Sequence, residues 1–176
     1  MSREGALIVM VAVAVILLAL LAWAWRRRSK RDAGLHAPVG EAPAGAVALR
    51  EFPGLYVATT RRDEPLERLA IRGLGFRARG VVTLTDAGLV LDLAGAPRLF
   101  LPTRDLVAAD QSTVAIDRVV ERDGLTRITW RIDPDTIVDS YFRPQDASAF
   151  ALADAVRSLI STPSPGTSPA QTGSDA

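Results

Sequence analysis

Six arginines, Arg61, Arg62, Arg68, Arg72, Arg77 and Arg79, crowd into one stretch against three acids, Asp63, Glu64 and Glu67. A guanidinium presents forked donors that match carboxylate or phosphate oxygens, so the chemistry such a cluster offers is anion binding. Arg77 and Arg79 are two residues apart and share one face if their segment is a strand. The competing reading is a solvated surface in which the neighbouring acids neutralise the arginines.

Other constellations are weaker. Cysteine is absent and His36 is the sole histidine, which leaves no thiolate metal site, no cysteine nucleophile and no imidazole base beside a serine or threonine. The acids are scattered at turns, and Asp133 and Asp135 flank Pro134 where turn chemistry accounts for both. Gly73-Leu74-Gly75 resembles the opening of a phosphate-binding loop, but the preceding strand, third glycine and following helix are missing. The expectation is a non-enzymatic protein with no metal and no cofactor.

The strongest feature is Gly5 to Trp25, a run of 21 residues without a charge. As a helix it extends roughly 31 Å, the thickness of a bilayer's hydrocarbon core. Trp23 and Trp25 sit where an interfacial aromatic belt would lie. Arg26, Arg27, Arg28, Lys30 and Arg31 follow at once, whereas Arg3 and Glu4 cancel on the other side. That bias predicts a single pass through the cell membrane, N-terminus outside and C-terminal part cytoplasmic. A cleaved signal peptide is the main competitor, since Ala22-Trp23-Ala24 has a small-x-small pattern. Signal peptides, however, carry their charge before a shorter apolar core. The basic flank also attracts anionic headgroups. No two small residues of the span are four apart, so the small-xxx-small packing pattern is missing.

Charge divides along the chain: residues 1–44 hold six basic and three acidic side chains, residues 45–160 hold 15 and 16. A near-neutral domain lacks the electrostatic footprint for phosphate backbones, which argues against a nucleic-acid partner. Residues 26–46 are the basic flank followed, over 32–46, by a stretch rich in Pro, Gly and Ala that reads as a flexible tether. Residues 162–176, rich in Ser, Thr and Pro, read as a disordered tail.

Between them, residues 47–161 carry strand signals in quick succession. The segments are Leu55 to Thr60, Gly80 to Thr85, Leu89 to Leu93, Leu99 to Leu101, Thr113 to Val120, Leu125 to Ile132 and Thr136 to Phe142. Asp86-Ala87-Gly88, Gly95-Ala96-Pro97, Arg122-Asp123-Gly124 and Asp133-Pro134-Asp135 are turns. Thr126, Ile128, Trp130 and Ile132 form the core-facing side of one strand. A helix is expected from Pro144, with Asp146 near its positive end and Ala149, Leu152, Ala153, Val156, Leu159 and Ile160 on its buried face. The fold class is mainly β, about seven antiparallel strands in a partly open barrel capped by one C-terminal helix, behind one transmembrane helix.

That order resembles pleckstrin-homology domains. Pro65-Leu66-Glu67-Arg68, Arg72-Gly73-Leu74-Gly75-Phe76-Arg77-Ala78-Arg79, Asp86-Ala87-Gly88-Leu89 and Asp139-Ser140-Tyr141 look like the bacterial PH-like single-pass membrane proteins of high-GC Gram-positive, actinobacterial type. Their genes often lie near pyrimidine-biosynthesis genes, and some carry transport or export labels. The resemblance implies a membrane-tethered binding or scaffold module acting through a protein partner. Its alternatives are an accessory subunit of a transport complex or an anionic-lipid-binding module. In lipid-binding PH domains the first loop and second strand hold the headgroup, which implies Arg61, Arg62, Arg72, Arg77 and Arg79 as candidate surface or lipid contacts.

The charge bias yields a direct expectation. A reporter fused at Ala176 behaves as cytoplasmic; an active export-dependent reporter there reverses the orientation.

Overall fold

In the computed structural model residues 3–32, 34–62, 64–115, 118–119 and 124–161 are described. The first helix, α1, runs Arg3–Arg31. Within it Leu7–Arg27 is long and apolar enough to cross a bilayer, and none of that window is buried against the rest of the chain.

The remainder is a seven-stranded antiparallel sheet and a helix. Its strands are β1 (Ala48–Arg61), β2 (Ala78–Thr85), β3 (Gly88–Leu93), β4 (Leu99–Pro102), β5 (Leu106–Ser112), β8 (Leu125–Asp133) and β9 (Thr136–Pro144). Between β5 and β8, β6 (Val114–Ala115) and β7 (Arg118–Val119) pair only with each other. The order in the large sheet is β4-β3-β2-β1-β9-β8-β5. The second helix, α2 (Ala149–Ser161), packs on β5, β8 and β9.

β1 is shared between the two halves. Residues 48–56 pair with β2, and residues 54–61 pair with β9. Gly54 lies in the overlap, opposite Gly80 on one side and Pro144 on the other. A Cβ on Gly54 would lie 2.2 Å from the Arg143 carbonyl oxygen, so only glycine lets the three strands approach here. The sheet therefore turns over Phe52, Tyr56, Val82, Leu84, Leu89, Leu91, Leu99, Leu101, Ile128, Trp130, Val138 and Phe142, which form one core with Leu152, Val156 and Leu159 of α2.

The expected seven strands and closing helix are present, with three corrections. β1 starts well before Leu55. The Pro53 carbonyl accepts from the Gln145 N–H at 3.0 Å, and a strand residue's amide and carbonyl positions face the same side. The missing donor of Pro53 thus faces the side where β9 has ended, and no ladder bond is lost. Secondly, the fifth strand is Leu106–Ser112 rather than Thr113 to Val120. Its Ala108-Ala109-Asp110 has little strand propensity, and pairing with β8 and packing under α2 hold it. Of the expected segment only β6 and β7 are strand, while residues 116–117 and 120–123, including most of the Arg122-Asp123-Gly124 turn, lie outside the described residues. Thirdly, α2 starts at Ala149, because β9 continues to Pro144 in pairing with Gly54. Ser148 accepts the Ala151 N–H through Oγ at 3.1 Å, the role of a helix cap, and Asp146 stays in the preceding bend.

The inward face of β8 is as expected: Thr126, Ile128 and Trp130 are buried and Ile132 half-buried. The other face is also covered in part, for Leu125 packs with Val57, Ala58 and Tyr141. Trp130 is 2% exposed, and its Nε1 donates to Ser140 Oγ at 2.8 Å. Trp130→Ala lowers stability by about 3 to 5 kcal/mol through the cavity it leaves. Urea denaturation checks this; a near-neutral result refutes Trp130 as a core anchor.

Candidate functional site

The chain between β1 and β2 carries most of the arginine cluster, and its described residues, 62 and 64–77, are folded rather than slack. Leu69, Ile71 and Leu74 are 0 to 2% exposed and close one end of the core. Leu69 N–H donates to the Thr59 carbonyl at 2.8 Å, and Leu74 N–H to the Ile71 carbonyl at 3.0 Å. Gly73, at φ +86°, makes the left-handed turn that sends Leu74 inward. Gly73 therefore has a structural task, with Leu74 in the core directly after it.

Arg68 is the strap across this loop. Its Nη1 donates to the Gly75 carbonyl at 3.0 Å and its Nη2 to the Val57 carbonyl at 2.7 Å. Arg68 itself forms a β-bridge with Thr60. Tyr56 supports the same turn from inside, its hydroxyl donating to the Leu74 carbonyl at 2.8 Å. That hydroxyl also lies 2.8 Å from Thr59 Oγ1, which is 2.7 Å from Ser140 Oγ, the acceptor for Trp130. Burial pushes the Tyr56 phenol above its ordinary range, so it stays a neutral donor. This buried chain, joining residues up to 81 apart in sequence, has no periodic or spacing signal that could have announced it.

Asp32, the residue after α1, is fastened to the same loop. It is 1% exposed; its Oδ2 accepts the Ala70 N–H at 3.2 Å, and Oδ1 lies 4.0 Å from Arg61 Nη2. The expected tether then continues along the domain. Leu35 and Ala37 pack against the core, the Phe100 N–H donates to the Pro38 carbonyl at 3.0 Å, and the Gly40 N–H to the Arg98 carbonyl at 3.1 Å. Val39 bridges Leu99 and covers the edge of β4. His36 is exposed, with Nδ1 3.0 Å from the Gly34 carbonyl.

The six arginines do not converge. Arg79 lies opposite Leu55, and Arg61 is six residues further along β1, about 20 Å at strand rise. Arg61 faces Asp32, and Arg62, beside it, is exposed with its N–H on the Ile137 carbonyl at 3.1 Å. Arg72 and Arg77 are exposed on the loop. Arg79 is exposed on β2 and lines a shallow depression with Asp92, Gly54, Gly80 and Gln145. On α1, Arg26, Arg27 and Lys30 are exposed, with Arg27 over the Trp23 ring at 5.6 Å; the side chains of Arg28 and Arg31 lie outside the described set. Elsewhere Arg98 pairs with Asp92 at 2.7 Å and Arg127 with Asp110 at 3.3 Å. Among the described residues no three His, Asp or Glu gather as a metal site. Asp133 caps the β8–β9 turn, Oδ1 accepting the Asp135 N–H at 2.9 Å.

Comparison with known proteins places residues 34–157 in a match to the family described as bacterial PH domain-like. No curated protein matches the sequence. Among solved structures, a crystal structure of the C-terminal domain of an unknown protein from Leishmania infantum is similar at a TM-score of 0.41 and 12% identity, covering 80% of this chain and 98% of that one.

Removing the strap tests the division of labour among the arginines. Arg68→Ala costs about 2 to 3 kcal/mol, since a guanidinium bond to a carbonyl is worth more than a neutral one and two are lost. Arg72→Ala and Arg77→Ala stay within about 0.5 kcal/mol, as surface changes do. Denaturant titration of the three variants separates them, and equal effects refute the strap.

Proposed function

The chain belongs to the bacterial PH-domain-like family, and from that premise we propose that it is a single-pass membrane protein whose domain is a non-catalytic binding module. It organises or regulates a membrane-associated assembly through protein contacts at the cytoplasmic face. One observation carries this reading. A helix fit to cross a bilayer, unburied along Leu7–Arg27, precedes a sheet-and-helix domain whose core is filled by its own side chains. Such a domain acts through its surface. Trp23, Trp25 and the basic flank support the placement at the inner leaflet, with anionic-lipid contacts by Arg61, Arg62, Arg72, Arg77 and Arg79 secondary. The bare helix also favours a second reading, an accessory subunit of a transport or export complex, in which α1 makes the specific contact.

Photo-crosslinking residues placed singly at Leu49, Arg79 and Arg127, and at Ile8 and Leu17 of α1, separate the two in intact membranes. The expected outcome is a discrete protein adduct from a domain position. Adducts from α1 alone, to a multi-span protein, transfer the function to the second reading. Silence from every domain position sinks the binding-module proposal.

A further inference from the structure

β1 to β4 bury one face in the core, and their other face is more apolar than a sheet face turned to water usually is. Leu55, Pro53, Val81, Val90 and Phe100 lie on it, each half-buried. Two guanidiniums stand at one end of that strip, Arg79 of β2 and Arg143 of β9. We propose that this outer face is the surface on which the domain takes a protein partner, by an extended segment in which two carboxylates flank an apolar side chain. The inference rests on the reading of the domain as a binding module; it names the surface used and the chemistry of the segment bound.

Register builds the site. Leu55 is paired with Arg79 on one side and Arg143 on the other, because it lies in the short overlap where β1 belongs to both halves of the sheet. Residues paired across antiparallel strands share a face, and Tyr56, next to Leu55, points into the core. Arg79, Leu55 and Arg143 therefore form one outward row. Both arginines are exposed, with their Cα atoms about 10 Å apart, two strand spacings. In the next row Pro53 is paired with Val81 and Val81 with Asp92, and these three line the shallow depression beside Arg79 and Gln145. Further along, Val90 is paired with Phe100.

Charge says what docks there. Among the described residues neither Arg79 nor Arg143 forms an ion pair, whereas Asp92 in the next row is held by Arg98 at 2.7 Å. Each uncommitted guanidinium can take a carboxylate through two parallel hydrogen bonds. With Leu55 between them, a segment crossing the strands meets the row with acid, apolar residue and acid at alternate positions, which an extended chain directs to one side. First to fifth residue spans about 13 Å, a length that arginines leaning outward from Leu55 match. An apolar centre bordered by arginine is also the composition of a protein interface. A bilayer fits less well, for it is a continuous anionic plane and on this face would meet exposed Glu51 and Asp92 as well as the arginines. A protein segment can end before them.

The probe is a blocked pentapeptide with glutamate at its first and fifth positions, leucine at the third and threonine between, carrying a neutral fluorophore; its twin has glutamine for glutamate. Binding to the full chain in phosphatidylcholine nanodiscs is read by anisotropy. The acidic peptide is expected to bind about tenfold more tightly than the twin, and to weaken as salt rises. Arg79→Gln and Arg143→Gln each weaken it about threefold, the size of an exposed ion pair, and together about tenfold. Arg131→Gln is the control: Arg131 is exposed on β8 opposite Ile137, which is six residues along β9 from Arg143, about 20 Å, and its loss leaves binding unchanged. A photo-crosslinking residue at Val81 gives a peptide adduct, and one at Ser158, exposed on α2, gives none. No binding of the acidic peptide, equal binding of the twin, or an equal loss from Arg131→Gln overturns the inference. A lipid adduct at Val81 in nanodiscs containing phosphatidylglycerol overturns it too, with the membrane as occupant. Each of these leaves the binding module standing on its own crosslinks, whereas silence from every domain position in intact membranes overturns both.

Discussion

Everything in the domain hangs on β1 being long enough to belong to both halves of the sheet at once. Fourteen residues, Ala48–Arg61, carry β2 on one edge and β9 on the other. The two pairings overlap only where Gly54 allows Arg143 and Pro144 to approach. Without that close approach the sheet halves could not turn over one another, and the apolar sides of β2, β3 and β4 would lack the facing residues of β8 and β9. α2 then finishes the enclosure, laying Leu152, Val156 and Leu159 against the remaining opening. The core is thus a consequence of one strand's shared edges.

At the far end of β1 the constraint changes from pairing to charge. Arg68 and Asp32 are both drawn into structure, the first satisfying two carbonyls, the second taking a backbone N–H from the loop with Arg61 alongside. Asp32 is buried and Arg68 half-buried, and charges so placed are tolerated where hydrogen bonds replace water. Their presence here fixes the β1–β2 loop and, through it, the end of α1. The family match beginning at residue 34 takes in the segment that runs along β4, consistent with that segment being part of the folded unit.

This fastening bears on the proposed role. A domain on a slack tether samples every orientation, whereas one held by Asp32 and by the 35–40 segment keeps a constant orientation to the end of α1. A binding module gains by such preorganisation because less orientational freedom is lost when a partner docks. The paired arginines, Arg98 and Arg127, then read as surface electrostatics, distinct from Arg72 and Arg77 on the loop.

The sequence by itself determined what local pattern can carry: the apolar helix and its basic flank, most strands of the sheet, the inward face of Trp130, and the PH-like class. These follow from period and composition, which act between near neighbours. Strand extent at Pro53, the fifth strand at Leu106–Ser112 and the helix start at Ala149 were decided elsewhere, by partners far along the chain. The arginine cluster divides for the same reason. Spacing in sequence put six guanidiniums in one stretch, but strand register carries Arg79 about 20 Å from Arg61, and the Gly75 and Val57 carbonyls hold Arg68 half-buried against the loop. Asp32 shows it most plainly: in sequence an acid at the head of an expected tether, it is a buried clamp because Ala70 and Arg61 meet it there, and only the folded chain brings those three together.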